Sequence, residues 1–128
     1  MVKALFDTNI LIDHLRGIPA ARDELQRHQD KAISIVTWME IMVGASPALL
    51  HGTQALLDGT QALLDGFTFI EIDRRVAERA VTLRRTHRIK LPDAIVWASA
   101  QVHAMLFVTR DARDFRADDP GIRMPYRV

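Results

Sequence analysis

Apolar and polar positions follow two rhythms along this chain. Val2-Lys3-Ala4-Leu5-Phe6 is a short, mostly apolar run that stops abruptly at Asp7-Thr8-Asn9. Ile10, Leu11, Ile12 and Leu15 then resume at helical spacing, so a buried strand is predicted to pass directly into a helix. Arg16-Gly17-Ile18-Pro19 ends that helix, and a second is predicted over residues 20–28 with Leu25 facing inward. Residues 32–36, rich in β-branched side chains, predict a second strand. Thr37 is placed to cap the next helix, which carries Trp38, Ile41, Met42 and Ala45 and ends near Gly44 and Ser46-Pro47. Residues 67–72 predict a third strand. Asp73 then caps a helix over residues 74–87 with Val76, Ala80, Val81 and Leu83 inside. Leu91-Pro92-Asp93 opens a largely buried helix, with Pro92 near its first position. Residues 105–109 predict a fourth strand, residues 111–115 a turn or short helix, and residues 124–128 a short strand confined to an edge by Pro125.

A seven-residue unit, GTQALLD, occurs at residues 52–58 and again at 59–65. Two copies are too few for a solenoid. A heptad is nearly two helical turns and rotates an apolar face by only about 20°. The duplication therefore predicts a longer helix with Leu56, Leu57, Leu63 and Leu64 on one side, and Gly59 as its weak point.

Strands that alternate with helices imply an α/β fold on a mostly parallel sheet with right-handed crossovers, and nothing resembling a linker divides residues 1–128. The 128 residues are 48% hydrophobic, enough for a core. Lys plus Arg number 17 against 16 Asp plus Glu, which excludes a polycationic tail but leaves room for a local basic patch. With no cysteine, there is no disulfide, thiolate zinc site or cysteine nucleophile, and a reducing compartment is compatible. No apolar run is long enough for a signal-peptide core or a membrane span, so a soluble, cytoplasmic protein is expected.

In open parallel sheets, ligands bind outside the carboxyl ends of the strands. Asp7 and Asp111 follow apolar strands, while Glu40 and Asp93 fall in the first turn of a helix. Asp114 follows Asp111 within the same turn. Each acid also has a structural reading. Asp7 can cap its helix, Thr37 and Glu40 match a capping box, Asp93 suits a helix dipole and Asp114 a turn. Together they would repel one another unless a cation lay between them. Oxygen donors without cysteine favour Mg²⁺ or Mn²⁺ over zinc. The five histidines show no zinc-protease spacing, and there is no phosphate loop, dinucleotide fingerprint or nucleophile elbow.

Phe6-Asp7-Thr8-Asn9, Thr37-x-x-Glu40, Leu91-Pro92-Asp93-Ala94 and Val108-Thr109-Arg110-Asp111-Ala112-Arg113-Asp114-Phe115 together resemble the PIN-domain ribonucleases, and in particular the VapC toxins of bacterial toxin–antitoxin pairs. The resemblance runs through nearly the whole chain, in order. It implies a single three-layer α/β/α domain over residues 1–128 and Mg²⁺- or Mn²⁺-dependent cleavage of RNA. The family's acidic quartet falls on Asp7, Glu40, Asp93 and a fourth acid. Asp111 and Asp114 both fit that fourth position, and Asp111 is preferred because it lies nearer the strand end. Asn9 and Thr109 would support the ligands. The resemblance also implies a VapB-type antitoxin, whose C-terminal segment covers the groove, and a homodimer.

An acidic site needs cations nearby to attract a polyanion. Arg84, Arg85, His87, Arg88 and Lys90 precede Asp93, and Arg110, Arg113 and Arg116 flank the fourth acid. They read either as a phosphate-tracking rim or as a solvated helix face with cations at its C-terminus. Two rival readings remain open. A phosphoacceptor receiver domain would want paired acids after the first strand and a Lys where Arg110 stands. A metal-free interaction module would use the acids only as caps.

Overall fold

The computed structural model describes residues 3–44 and 54–127. Its centre is β1 (Ala4–Phe6), buried along its whole length, as a strand covered on both faces must be. β2 (Lys31–Ser34) and β4 (Leu106–Val108) flank it, and β3 (Thr68–Ile70) and β5 (Ile122–Arg123) lie at the edges. The order is β3-β2-β1-β4-β5 and every pairing is parallel.

Strand alternation divides the core into two layers. Ala4, Phe6, Ile33 and Val108 enter one layer. There they meet α1 (Thr8–Leu15), α2 (Pro19–Arg27), α3 (Ile35–Gly44) and α4 (Gln54–Asp65) through Ile10, Leu25, Ile41 and Leu64. Leu5, Ala32 and Phe107 enter the other, against Val76, Ala80 and Leu83 of α5 (Arg74–His87) and Ala94, Val96 and Trp97 of α6 (Leu91–Val102). Helices on both faces of a parallel sheet make the three-layer α/β/α arrangement. Burying side chains as large as Phe6 and Phe107 contributes about 1.5–3 kcal/mol each. Among the described residues, no helix is long and apolar enough to cross a membrane.

Several boundaries differ from the sequence expectation. Ile35 and Val36 begin α3 instead of extending β2, because Ser34 Oγ accepts the Val36 amide at 3.1 Å and caps the helix in place of Thr37. Thr37 is a fully buried helical residue. Val81 is 44% exposed and leaves the inner stripe of α5 to Val76, Ala80 and Leu83. The last strand is Ile122–Arg123, ahead of Pro125, so the proline follows the edge strand. α4 runs through Gly59 without a break, Leu64 is buried, and Leu63 packs on the core. Leu56 and Leu57 lie outside the described side chains, and Ala45 outside the described residues.

The central register aligns the strand exits. Phe6 pairs with Val108, so the residues leaving β1 and β4 emerge side by side. The Asp7 amide extends the ladder by donating to Val108 O at 2.8 Å.

Candidate active site

Asp7 occupies the exit of β1 and caps α1, with extended backbone and a bond from the Thr8 amide to Oδ1 at 2.8 Å. Its other oxygen, Oδ2, accepts from Thr109 Oγ1 at 2.8 Å and from Asn9 Nδ2 at 3.2 Å. The Thr109 hydroxyl has one proton and two lone pairs, and all are engaged. It donates to Asp7 and accepts from Asn9 Nδ2 and from the Asp111 amide, at 3.2 and 3.1 Å. Asn9 Oδ1 accepts the Arg110 amide at 3.3 Å. Asn9 and Thr109 thus tie the exits of β1 and β4 together around one carboxylate.

Glu40 is on the exposed side of α3, yet its Oε1 lies 2.8 Å from Thr8 Oγ1. Thr8 Oγ1 is also 3.0 Å from Thr37 Oγ1. One hydroxyl proton cannot serve both, so Thr8 donates to the carboxylate and accepts from Thr37. The capping-box reading of Glu40 fails on this geometry, because α3 starts before Thr37 and the carboxylate is turned to α1.

Asp93 sits in the first turn of α6, behind Lys90 at the cap and Pro92. Asp111 Oδ1 accepts the Arg113 amide at 3.0 Å and the Asp114 amide at 3.2 Å, closing the turn after β4. That turn carries Asp111 and Asp114 to the same rim.

The acids influence one another. Burial pushes the Asp7 carboxyl up to about 7, against the Thr109 hydroxyl and Thr8 amide, and the charges of Asp93 and Asp111 add to the rise. Burial also raises Asp93, followed by the charges of Asp114, Asp111 and Glu40, while Lys90 opposes them. All five acids therefore belong to one electrostatic neighbourhood. Among the described residues, no three stand close enough to grip a cation as placed. The donors are carboxylates, hydroxyls and an amide, with no thiolate or imidazole. That chemistry fits a hard dication such as Mg²⁺ or Mn²⁺.

The basic residues divide by their partners. Lys90 acts on Asp93. Arg84 donates to Ile89 O at 2.6 Å and braces the α5–α6 connection. Arg85 and Arg113 are exposed, as is Arg88, which ends α5 in a left-handed conformation at φ 57°. Arg110 is engaged by a forked ion pair with Asp13.

Sequence reasoning missed two buried carboxylates. Asp13 is 1% exposed, and takes the Arg110 guanidinium and the Tyr126 hydroxyl, the latter at 2.7 Å. Burial works against its charge, but Arg110 and Tyr126 hold its pKa below the usual carboxylate range. Glu24 is held the same way, by Arg123 at 2.6 and 2.9 Å and His28 at 2.8 Å. The only warning in the sequence is an acid on an otherwise apolar helix stripe.

The chain matches the family described as PIN domain over residues 4–119. No curated protein matches it by sequence. Among solved structures it is similar to a toxin–antitoxin complex from Klebsiella pneumoniae, at 42% identity and TM-score 0.87, covering 98% of this chain and 100% of that one. It is also similar to FitAcB from Neisseria gonorrhoeae, at 25% identity and TM-score 0.77, covering 98% and 99%. The DNA-bound VapBC structure from Salmonella typhimurium, at 22% identity, TM-score 0.76 and 96% coverage of both chains, shares the fold. With its acids on the rim of a β3-β2-β1-β4-β5 parallel sheet and the family match spanning nearly its whole length, the chain belongs to the PIN domain family.

Proposed function

We propose that the protein is a metal-dependent endoribonuclease, the toxin of a type II toxin–antitoxin pair. One observation carries the reading. A buried carboxylate, Asp7, is fixed at the end of the central strand by Asn9 and Thr109 and crowded by Asp93 and Asp111. A structural cap needs neither the burial nor the neighbouring charges. A ligand for a dication is served by both, because the cation relieves the repulsion.

Asp7, Asp93 and a fourth acid would hold Mg²⁺ or Mn²⁺. The turn after β4 divides the work of its two acids. Asp111 closes the turn through Oδ1, while Asp114 is the charge that acts most on Asp93. In place of the Asp111 preferred from its nearness to the strand end, we therefore assign Asp114 to the ion, and Asp111 to the turn and to the field at Asp7. When bound, the ion lowers the pKa of a water and offsets charge on the scissile phosphate. Glu40, oriented by Thr8, accepts a proton from the attacking water. Lys90 and Arg113 draw the phosphate chain to the rim. Because water attacks rather than the ribose hydroxyl, the products carry a 5′-phosphate and a 3′-hydroxyl.

The 42% identical Klebsiella relative is part of a toxin–antitoxin complex. This supports a partner here, a VapB-type antitoxin whose basic arm would enter the acidic groove. A homodimer completes the proposal. The strand order argues against the receiver reading, since receiver-like sheets place β1 between β2 and β3 and here it lies between β2 and β4. Incubating purified protein with total RNA and mapping the ends tests the function. Mg²⁺-dependent cuts that EDTA abolishes, silenced by co-expression of the small neighbouring open reading frame, are expected. Intact RNA in Mg²⁺ and in Mn²⁺ would refute it.

A further inference from the structure

A pocket of about 440 Å³ is lined in part by Ala112 and Phe115, from the turn that carries Asp111 and Asp114. It lies where β4 and β5 end, so it shares the carboxyl rim of the sheet with the acids. Tyr126 and Met124, both half-buried, give it aromatic and apolar surface over the buried Phe115, and Arg110, Arg116 and Arg127 give it cations beside the single acid Asp118. Its volume falls in the range of sites for small organic groups, about 300–1,000 Å³.

The walls are built in advance. Phe115 is held edge-on by Phe107 and Trp97, with ring centroids 5.0 and 5.4 Å away. Arg110 and Tyr126 both end on the buried Asp13, which fixes the β4 exit against the segment after β5. Two cations are left to serve a ligand. Arg127 is exposed, and among the described residues Arg116 is paired with Asp118 alone, in a pair whose side chains are 83% and 70% exposed. Such pairs are readily exchanged for a better anion. The lining therefore combines an aromatic base with removable positive charge. Single-stranded nucleic acids are recognised through that combination, a base against a ring and a phosphate against arginine.

We propose that this pocket is a nucleotide subsite. It takes one base of the single-stranded RNA that crosses the acidic rim, with Arg116 and Arg127 on the adjoining phosphates. The inference rests on the nuclease reading above. It adds that the strand bends over the Asp111–Asp114 turn, so that the nucleotide beyond the turn is gripped independently of the metal.

The test uses full-length protein carrying Asp93→Asn, in EDTA, and a short fluorescein-labelled single-stranded RNA of mixed sequence as the probe. In that background Arg116→Ala with Arg127→Ala should weaken binding about tenfold. Each lost phosphate contact on a single strand flattens the slope of log K against log salt by about 0.7, so the double variant should be shallower by about 1.4. Ala112→Trp fills the pocket from an exposed turn position and removes no charge. It should weaken binding comparably and leave the salt slope unchanged. Melting curves confirm that both variants fold. Parent-like RNA affinity in either variant overturns the subsite. If Ala112→Trp alone binds normally, the arginines are a diffuse basic surface. If both bind RNA normally but lose an acidic partner peptide, the pocket belongs to the antitoxin. Failure of the nuclease reading would show separately, as parent protein that leaves RNA intact in Mn²⁺.

Discussion

Thr109 Oγ1 donates to Asp7 Oδ2 at 2.8 Å, joining residues 102 positions apart in the chain. Parallel pairing of Phe6 with Val108 makes the contact possible by placing the two strand exits together. The hydroxyl also accepts from Asn9 and from the Asp111 amide, so a single oxygen ties β1, α1 and the turn after β4.

Thr109→Val keeps the shape and removes that oxygen. Asp7 loses a donor that favours its charged form, so its carboxyl should rise further above 7. The Mn²⁺-binding midpoint should move to higher pH. Stability should fall by about 1–3 kcal/mol, the cost of leaving buried polar groups unpaired. Urea unfolding and Mn²⁺ titration across pH measure the two effects, and a variant identical to the parent in both would show the bond to be incidental.

The turn acids should separate by readout. Asp114→Asn should lose most Mn²⁺-dependent stabilisation while its metal-free melting holds or rises, because a like charge beside Asp93 is gone. Asp111→Asn keeps a carbonyl for the turn amides and should retain part of the Mn²⁺ response. Asp111→Ala removes the brace and should cost about 1 kcal/mol. Reversed metal responses would exchange the two assignments.

Mn²⁺ affinity should depend on pH in a defined way. With Asp7 at about 7 in the metal-free protein, an ion must displace its proton at lower pH. Affinity should rise about tenfold per unit up to about pH 7 and level off above. Calorimetry in buffers of different ionisation enthalpy counts the released protons, and a flat profile would remove Asp7 from the ligand set.

The scaffold makes its own prediction. Asp13→Asn leaves Arg110 partly buried without its countercharge and should destabilise by about 3–5 kcal/mol. Tyr126→Phe removes one hydrogen bond and should cost about 1 kcal/mol. Chemical denaturation distinguishes them, and equal losses would mean that the ion pair adds nothing beyond the hydroxyl.

Much of the fold was legible because each buried strand is an apolar run that ends in a polar residue. Asp7, Asp73 and Pro92 mark helix starts where the structure has them. The α3 start was misread because Ile35 and Val36 are β-branched, and the cap at Ser34 together with the burial of Val36 overrode that preference. The acids could be nominated from their places after strands or at helix starts. The buried carboxylates Asp13 and Glu24 could not, because their partners Arg110 and Arg123 lie 97 and 99 positions away in the chain. No local periodicity encodes such pairs. The link from Thr8 to Glu40 was hidden by the capping-box pattern that Thr37 and Glu40 happen to make.

The most direct test of the metal site is melting of the parent and Asp7→Asn, in EDTA and in Mn²⁺, from acid to alkaline pH. The folded Asp7 pKa is raised from 3.8 to about 7, so the ionised carboxylate is disfavoured in the fold. The penalty is absent below 3.8, grows through that interval and is complete above about 7. Each unit corresponds to about 1.4 kcal/mol, and the Asn side chain relieves part of the total. In EDTA, Asp7→Asn should therefore melt with the parent at low pH and increasingly above it toward pH 8. In Mn²⁺ at one hundred times its dissociation constant the parent should gain about 2.7 kcal/mol and the variant almost nothing. A variant that melts with the parent at every pH and still gains stability from Mn²⁺ would contradict the account at its centre.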